Sequence, residues 1–208
     1  MKIIPLDPRH RKEAAKLLSE AFFNYPTFTF FFPNVKQRKR DLAWYLGNAL
    51  NCTLSYGEAY TVPDLSGVMM LLLPGHTKIT LLEYIQNGFF LTPFRLGFRN
   101  YVRSMRCETH AEEMHEKLMK GVPHYYLWVL AVAPQKARQG VGKTLIQHLL
   151  QKADAENMPI YLETNTEYNV GYYQHLGFSV MMKTEVPGYD IPFWCMVREP
   201  SSKQVSLR

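Results

Sequence analysis

Gly140 and Gly142 stand two residues apart, with Lys143 directly after them, in the segment ARQGVGKT (Ala137–Thr144). A glycine turn that opens a helix presents free backbone N–H groups at the positive end of the helix dipole, and such a place binds phosphate-like anions. Glycine has no Cβ to hold an anion away, and the lysine adds charge. The same two glycines also suit a tight turn that binds nothing. With Ala137 in place of the first Gly, the segment fits a relaxed GxxxxGK[ST] pattern, as in nucleotide triphosphatases. Pro134, Gln135 and Lys136 separate it from the preceding strand, however, and the next apolar run, PIYLET, offers Glu163 where an Asp for magnesium is needed. A triphosphatase is the outlying alternative.

The elements that must position this turn are legible on either side of it. Leu127 to Val132 carries no charge and is rich in Leu, Val and Trp, as a strand buried on both faces should be. Beyond the turn, Leu145, Ile146, Leu149, Leu150 and Ala153 recur on one helical face, and Asn157 and Pro159 end that helix. Ile160 to Leu162 is another apolar run, so the unit reads strand, helix, strand with a right-handed crossover. Upstream, Lys2–Leu6 reads as a strand, and Asp7 with Pro8 starts a helix bearing Ala14, Leu17, Leu18 and Ala21. The segment NYPTFTFFFP (Asn24–Pro33) reads as a loop packed on the core, and a second helix spans roughly 37–51. Residues 57–62 and 67–73 form a strand pair. Helical periodicity then fills the stretch between Pro74 and Pro123, and strands at 178–186 and 193–197 close the chain.

With 208 residues, 47% of them hydrophobic and 20% charged, the chain suits one ordered domain over residues 1–198, followed by a loose polar tail at 199–208. No apolar run reaches the length of a membrane span, and the N-terminus does not read as a secretory signal, so the expected setting is cytoplasmic and without a membrane partner. Cys52, Cys107 and Cys195 lack metal-ligand spacing and suit free thiols; no metal is expected. The net charge of +6 is compatible with a polyanionic ligand or nucleic acid. The basic runs Arg9–Lys12 and Lys36–Arg40 lack interleaved aromatic residues and read as solvated helix faces, so nucleic acid is not the expected partner.

Two motifs carry a resemblance. VAPQKARQGVGKTL is similar to the acetyl-coenzyme A signature V-x-P-x-x-[QR]-x-x-G-x-[GA] of the GNAT superfamily of N-acetyltransferases, with Val132, Pro134, Gly140 and Gly142 in register. Ala137 stands where that family usually has Gln or Arg, and Arg138 and Gln139 lie beside it. NVGYYQHLGF (Asn169–Phe178) is similar to the family's N-x-x-x-x-Y-x-x-x-G-F helix and turn, with one residue fewer after the Asn. The resemblance implies an α/β fold with a mixed, twisted central sheet flanked by helices. The helices at about 75–122 would then be an insertion before the central strand, either covering the acceptor pocket or forming a dimer surface. A monomer and a homodimer both remain open.

The same resemblance implies transfer of an acetyl group from acetyl-coenzyme A, as co-substrate, to an amine. Tyr173 matches the family's tyrosine and is the candidate general acid, since a phenol of pKa about 10 can protonate a thiolate whose conjugate acid lies near about 8.5. Leu130, Ala131, Val132, Arg138, Gln139, Gly140, Val141, Gly142, Lys143, Thr144 and Asn169, with Tyr173, are the candidate coenzyme contacts. Asn169 also suits a helix cap. Glu163 and His124 are the candidate bases: the first ends a strand beside the cleft, and the second has the better intrinsic pKa. Phe28, Phe30, Phe31 and Tyr126 are the candidate acceptor contacts. The expected acceptor is a small-molecule amine with an aromatic or apolar body, resembling the puromycin-type branch. A peptide or protein amine and a non-catalytic acyl-coenzyme A binding module are the alternatives.

Overall fold

The computed structural model describes residues 1–201. Strand β1 (Ile4–Pro5) is followed by Asp7, whose carboxylate accepts the Arg9 N–H at 2.8 Å and so starts the first helical turn. Helix α1 (Arg11–Ala21) buries Ala14, Ala15, Leu17 and Leu18, the face its spacing predicts. The aromatic segment expected as a loop contains the short helix α2 (Pro26–Phe31), with Pro26 at the first position, where a missing N–H costs no hydrogen bond. Asn34 caps helix α3 (Val35–Tyr56) by accepting the Gln37 N–H at 3.0 Å. This helix outruns the predicted end because Cys52–Tyr56 contains no glycine or proline to stop it. One of the two basic runs is partly structural: Arg38 is buried and donates to the Phe32 carbonyl at 2.8 Å.

Strands β2 (Gly57–Thr61) and β3 (Gly67–Leu72) pair antiparallel, Gly57 opposite Leu72. Helices α4 (Leu81–Gln86), α5 (Thr92–Leu96) and α6 (Phe98–Met119) occupy the stretch before strand β4 (Tyr125–Val132). Then come α7 (Val141–Ala155), β5 (Ile160–Thr164), α8 (Glu167–Gln174), β6 (Ser179–Glu185) and β7 (Pro192–Arg198). All seven strands form one sheet in the order β1-β2-β3-β4-β5-β7-β6, in which β4 and β5 are parallel and every other pair is antiparallel.

Side chains of β3 alternate between the two faces, so each face carries its own core. Val68, Met70 and Leu72 pack with residues of α1, α2, α3 and α6, whereas Met69 and Leu71 pack with Leu145, Ile146 and Leu149 of α7. Gly67 permits the second contact: a Cβ there would lie 2.6 Å from Val141 Cγ1 and 2.8 Å from Leu145 Cδ1.

Two irregularities open the middle of the sheet. Met70 pairs with Val129 and Leu71 with Leu127, which leaves Trp128 as the extra residue of a β-bulge. On the other side, β4 pairs with β5 only from Tyr125 to Leu127, opposite Ile160 to Leu162. Beyond those pairs the strands part. Trp128, Val129 and Leu130 are half-buried, which corrects the expectation of a strand buried on both faces: its second half borders a cleft.

Of the polar tail, Ser201 is pinned, its N–H and hydroxyl both donating to Asp154 at 2.9 and 3.0 Å; residues 202–208 lie outside the described part. The three cysteines are free and buried, and burial pushes each thiol up to about 12. Among the described residues no group of three or more His, Cys, Asp or Glu could hold a metal ion. None of the described helices is long and apolar enough to cross a membrane.

Candidate active site

Past Val132 the chain turns through Pro134–Lys136 and reaches Gly140 in the left-handed region, at φ 83°, as the N-cap of α7. No side chain caps this helix. The Thr144 N–H is the first to find an intrahelical acceptor, the Gly140 carbonyl at 2.9 Å, so the N–H groups of Val141, Gly142 and Lys143 precede the hydrogen-bonded helix. The Thr144 hydroxyl also bonds back to Gly140 O, at 3.0 Å. Gly142 allows close packing: a Cβ there would press on Val132 Cγ2 at 3.2 Å. At Gly140 a Cβ would meet no atom within 4 Å, so that position is reserved by backbone conformation and left sterically open. Arg138, Gln139 and Lys143 are exposed around the turn, and neither Arg138 nor Lys143 forms an ion pair among the described residues. These features fit the anionic pyrophosphate end of acetyl-coenzyme A. The parted edges of β4 and β5 fit an extended chain of amides, whose N–H and C=O groups can pair with an open strand edge.

Strand β4 leads from this turn back to a cavity of about 1130 Å³, counting the part open to solvent. Of the sequence-predicted site residues, Leu130, Asn169, Tyr173, Glu163, Tyr126, Phe28 and Phe31 all line it. Phe30 does not: its ring packs on Tyr189 at a centroid separation of 4.3 Å, with the Arg103 guanidinium 5.2 Å from it. Ala131 is buried in the sheet and Val132 lies beside Gly142. The lining is rich in rings, among them Phe22, Tyr45, Tyr84, Phe89, Trp128 and Phe193, and contains no Lys, Arg or His among the described residues. Tyr84, Phe89, Cys107 and Glu108 come from the helical stretch between β3 and β4.

Glu163 of β5 is held by two tyrosines: Tyr126 and Tyr161 each donate to one of its oxygens at 2.7 Å. Burial raises its carboxyl from 4.5 to about 7; the two phenol hydrogen bonds pull it back down, and the charge of Glu108 raises it further. Tyr173 of α8 is only 9% exposed, and its hydroxyl has no hydrogen-bond partner among the described residues. Burial, then Tyr25 and Tyr172, raise its phenol above the usual value, so it stays protonated at neutral pH.

Asn169 is not a cap. Thr166 takes that position, accepting the Asn169 N–H at 3.4 Å, while the Asn169 side chain donates to Thr164 Oγ1 at 3.1 Å. Tyr25, which no sequence pattern marked, ties the turn before α2 to the end of β5. Its hydroxyl accepts the Asn165 N–H at 2.8 Å and lies 3.1 Å from Thr164 Oγ1.

His124 lies outside the cavity lining. Its Nδ1 is 2.6 Å from the Val122 carbonyl and so carries a proton, which leaves Nε2 to accept from His115 Nε2 at 2.8 Å. Burial lowers both imidazoles, His115 to about 4. The pair stacks behind the glutamate's tyrosines, with the His115 ring 5.0 Å from Tyr126 and 4.8 Å from Tyr161.

Residues 98–178 match the Acetyltransferase (GNAT) family, a span that runs from α6 through the glycine turn to the end of the Tyr173 motif. An uncharacterized N-acetyltransferase of Schizosaccharomyces pombe is 23% identical over 208 residues, covering 95% of this chain and 83% of its own length. Among solved structures, a histone acetyltransferase HPA2 and related acetyltransferase from Corynebacterium glutamicum aligns over 96% of both chains with a TM-score of 0.63 at 19% identity. Arylalkylamine N-acetyltransferase 2 from Aedes aegypti aligns over 95% of this chain and 98% of its own with a TM-score of 0.60 at 13% identity. At those identities the structures attest the fold alone. Residues 98–178 thus resemble the GNAT acetyltransferases, and the chain along its length is similar to an N-acetyltransferase.

Proposed function

We propose that this enzyme acetylates a primary amine of a small molecule with an aromatic or apolar body, with Glu163 as general base and Tyr173 as general acid. The reading rests above all on the cavity: many rings, two carboxyl groups and, among the described residues, no cationic side chain in its lining. Such a surface attracts an ammonium ion and gives its apolar body a dry place to lie.

Acetyl-coenzyme A supplies the acetyl group as a thioester. A protonated amine is no nucleophile, so Glu163 must first take a proton, and a carboxylate near 7 does so at neutral pH far better than one near 4.5. The freed amine nitrogen then forms the C–N bond as the C–S bond breaks. Tyr173, a phenol with an uncommitted hydroxyl, gives its proton to the departing sulfur. The acylated nitrogen gives its surplus proton to the Tyr173 phenolate, which restores the phenol, and Glu163 returns its proton to solvent as the amide and the coenzyme thiol leave. Val141, Gly142 and Lys143 hold the anionic end of the coenzyme through their N–H groups, aided by the Arg138 and Lys143 side chains. The domain runs to about residue 198, and the helices at about 75–122 act as the wall of the acceptor site.

Thiol release should be followed for a panel containing phenylethylamine, tyramine, linear alkylamines and short peptides with a free N-terminus. The aromatic amines are expected to give the highest kcat/KM. Turnover of the peptides alone would overturn the small-molecule reading and leave a peptide acetyltransferase in its place.

A further inference from the structure

Glu163 and Glu108 face one cavity, and they are treated differently by their surroundings. Both oxygens of Glu163 are claimed by phenol donors from the sheet. Glu108, on α6, accepts only the Tyr45 hydroxyl, at 3.2 Å on Oε1, and its Oε2 has no partner among the described residues. The two cations nearest in sequence lie against other rings, Arg103 over Phe30 and Arg106 over Tyr189. The rings beside Glu108 form a cluster, with Tyr45 and Phe89 5.2 Å apart and Tyr84 and Phe89 5.1 Å apart. A carboxylate with a free oxygen among rings is costly without a counter-ion. In a chain whose net charge is +6, no lining side chain among the described residues supplies one.

We infer that Glu108 forms a second cation subsite, and that the acceptors of this cavity carry a further basic group at the far end of an aromatic or apolar body. The inference rests on the reading of Glu163 as the residue beside the reacting nitrogen. One ammonium group must surrender its proton at Glu163, so it cannot also remain the charge that neutralises Glu108. A second nitrogen, kept protonated, pairs with Glu108 Oε2 and the surrounding ring faces. Burial first, then the charge of Glu112, raises the Glu108 carboxyl, and a bound cation relieves that cost.

The test compares 1,4-bis(aminomethyl)benzene with benzylamine, which differ by the second aminomethyl group. With the wild-type protein and acetyl-coenzyme A, kcat/KM for the diamine should exceed that for benzylamine by at least about tenfold. In Glu108→Gln, which keeps the side-chain shape, that ratio should fall toward one through a rise in KM for the diamine. Calorimetric titration of the variant with acetyl-coenzyme A checks that it is folded. Equal kcat/KM for the two amines in wild type, or a ratio unmoved in folded Glu108→Gln, overturns the subsite. Binding of each amine is titrated separately. Tighter binding of the diamine that is lost in Glu108→Gln, without acetylation of either amine, would sustain the subsite and overturn the role given to Glu163.

Discussion

At one end of β4, the groups proposed to face a ligand are backbone N–H groups of three consecutive residues, Val141 to Lys143, held by two glycines. At the other end they are side chains from far apart in the chain: Tyr25 before α2, Glu108 on α6, Glu163 on β5 and Tyr173 on α8. Backbone groups can hold any coenzyme-like chain of the right charge, and their placement tolerates changes of side chain. The cavity's chemistry lies in side chains, each oriented by a partner from another element. Damage at the first end should therefore weaken coenzyme binding without altering acceptor choice, and damage at the second should do the reverse.

The sharpest way to break that contrast is Glu163→Gln. The variant should bind acetyl-coenzyme A normally and lose about a thousandfold in kcat, within the range for a general base. In the wild type, kcat/KM should rise with pH up to about 7, because the carboxyl raised to that value must be ionised to accept a proton. The rise should be missing from the residual activity of the variant. An unchanged pH profile would remove Glu163 as base. Tyr173→Phe should cost less, about a hundredfold in kcat, since water in the cleft can deliver a proton more poorly in its place. Because its phenol is raised above the usual value, no decline from its ionisation is expected below pH 10.

Gly140→Ala tests the other end. A Cβ there meets no atom within 4 Å, but at φ 83° it forces an L-residue into a left-handed backbone, at a cost of about 1–2 kcal/mol. If the turn relaxes to escape the strain, its N–H groups move and KM for acetyl-coenzyme A should rise about tenfold. The relative kcat/KM values across an amine panel should stay the same. A reshuffled amine preference would show that the two ends are not independent.

The difference in construction also explains what the amino-acid sequence disclosed. The glycine turn is legible because its pattern lies in consecutive residues: glycine spacing, a strand before and an amphipathic helix after. The LGF turn was legible for the same reason, Gly177 at φ 88° ending α8. Glu163 and His124 compete as bases in the sequence, one by its place at a strand end and the other by its intrinsic pKa, and neither ground decides between them. Only the fold sets Glu163 in the cavity between two phenols and closes His124 into a pair with His115. Glu108 and Tyr25 lie in segments with no motif, and their partners are 63 and 139 or more positions away. Phe30 was grouped with Phe28 and Phe31 as a run of aromatics. A helix places successive residues about 100° apart, so one of the three points away from the cavity.

Tyr25→Phe carries the smallest expected effect on activity and the most specific test of how the cavity is held together. The hydroxyl accepts the Asn165 N–H and bonds Thr164 Oγ1, both on buried residues at the end of β5. Thr164 keeps its bond from Asn169, so its loss is partial, whereas the Asn165 N–H loses its acceptor. Leaving one buried donor unpaired costs about 1–2 kcal/mol. For a chain of this size that lowers Tm by roughly 2–8 °C. The end of β5 would also loosen directly beside Glu163, so acceptor KM should rise a few-fold while KM for acetyl-coenzyme A stays as it was. If Tm holds and coenzyme KM moves instead, the Tyr25 hydroxyl serves the coenzyme end, and the division of the cleft into a backbone half and a side-chain half has to be redrawn at β5.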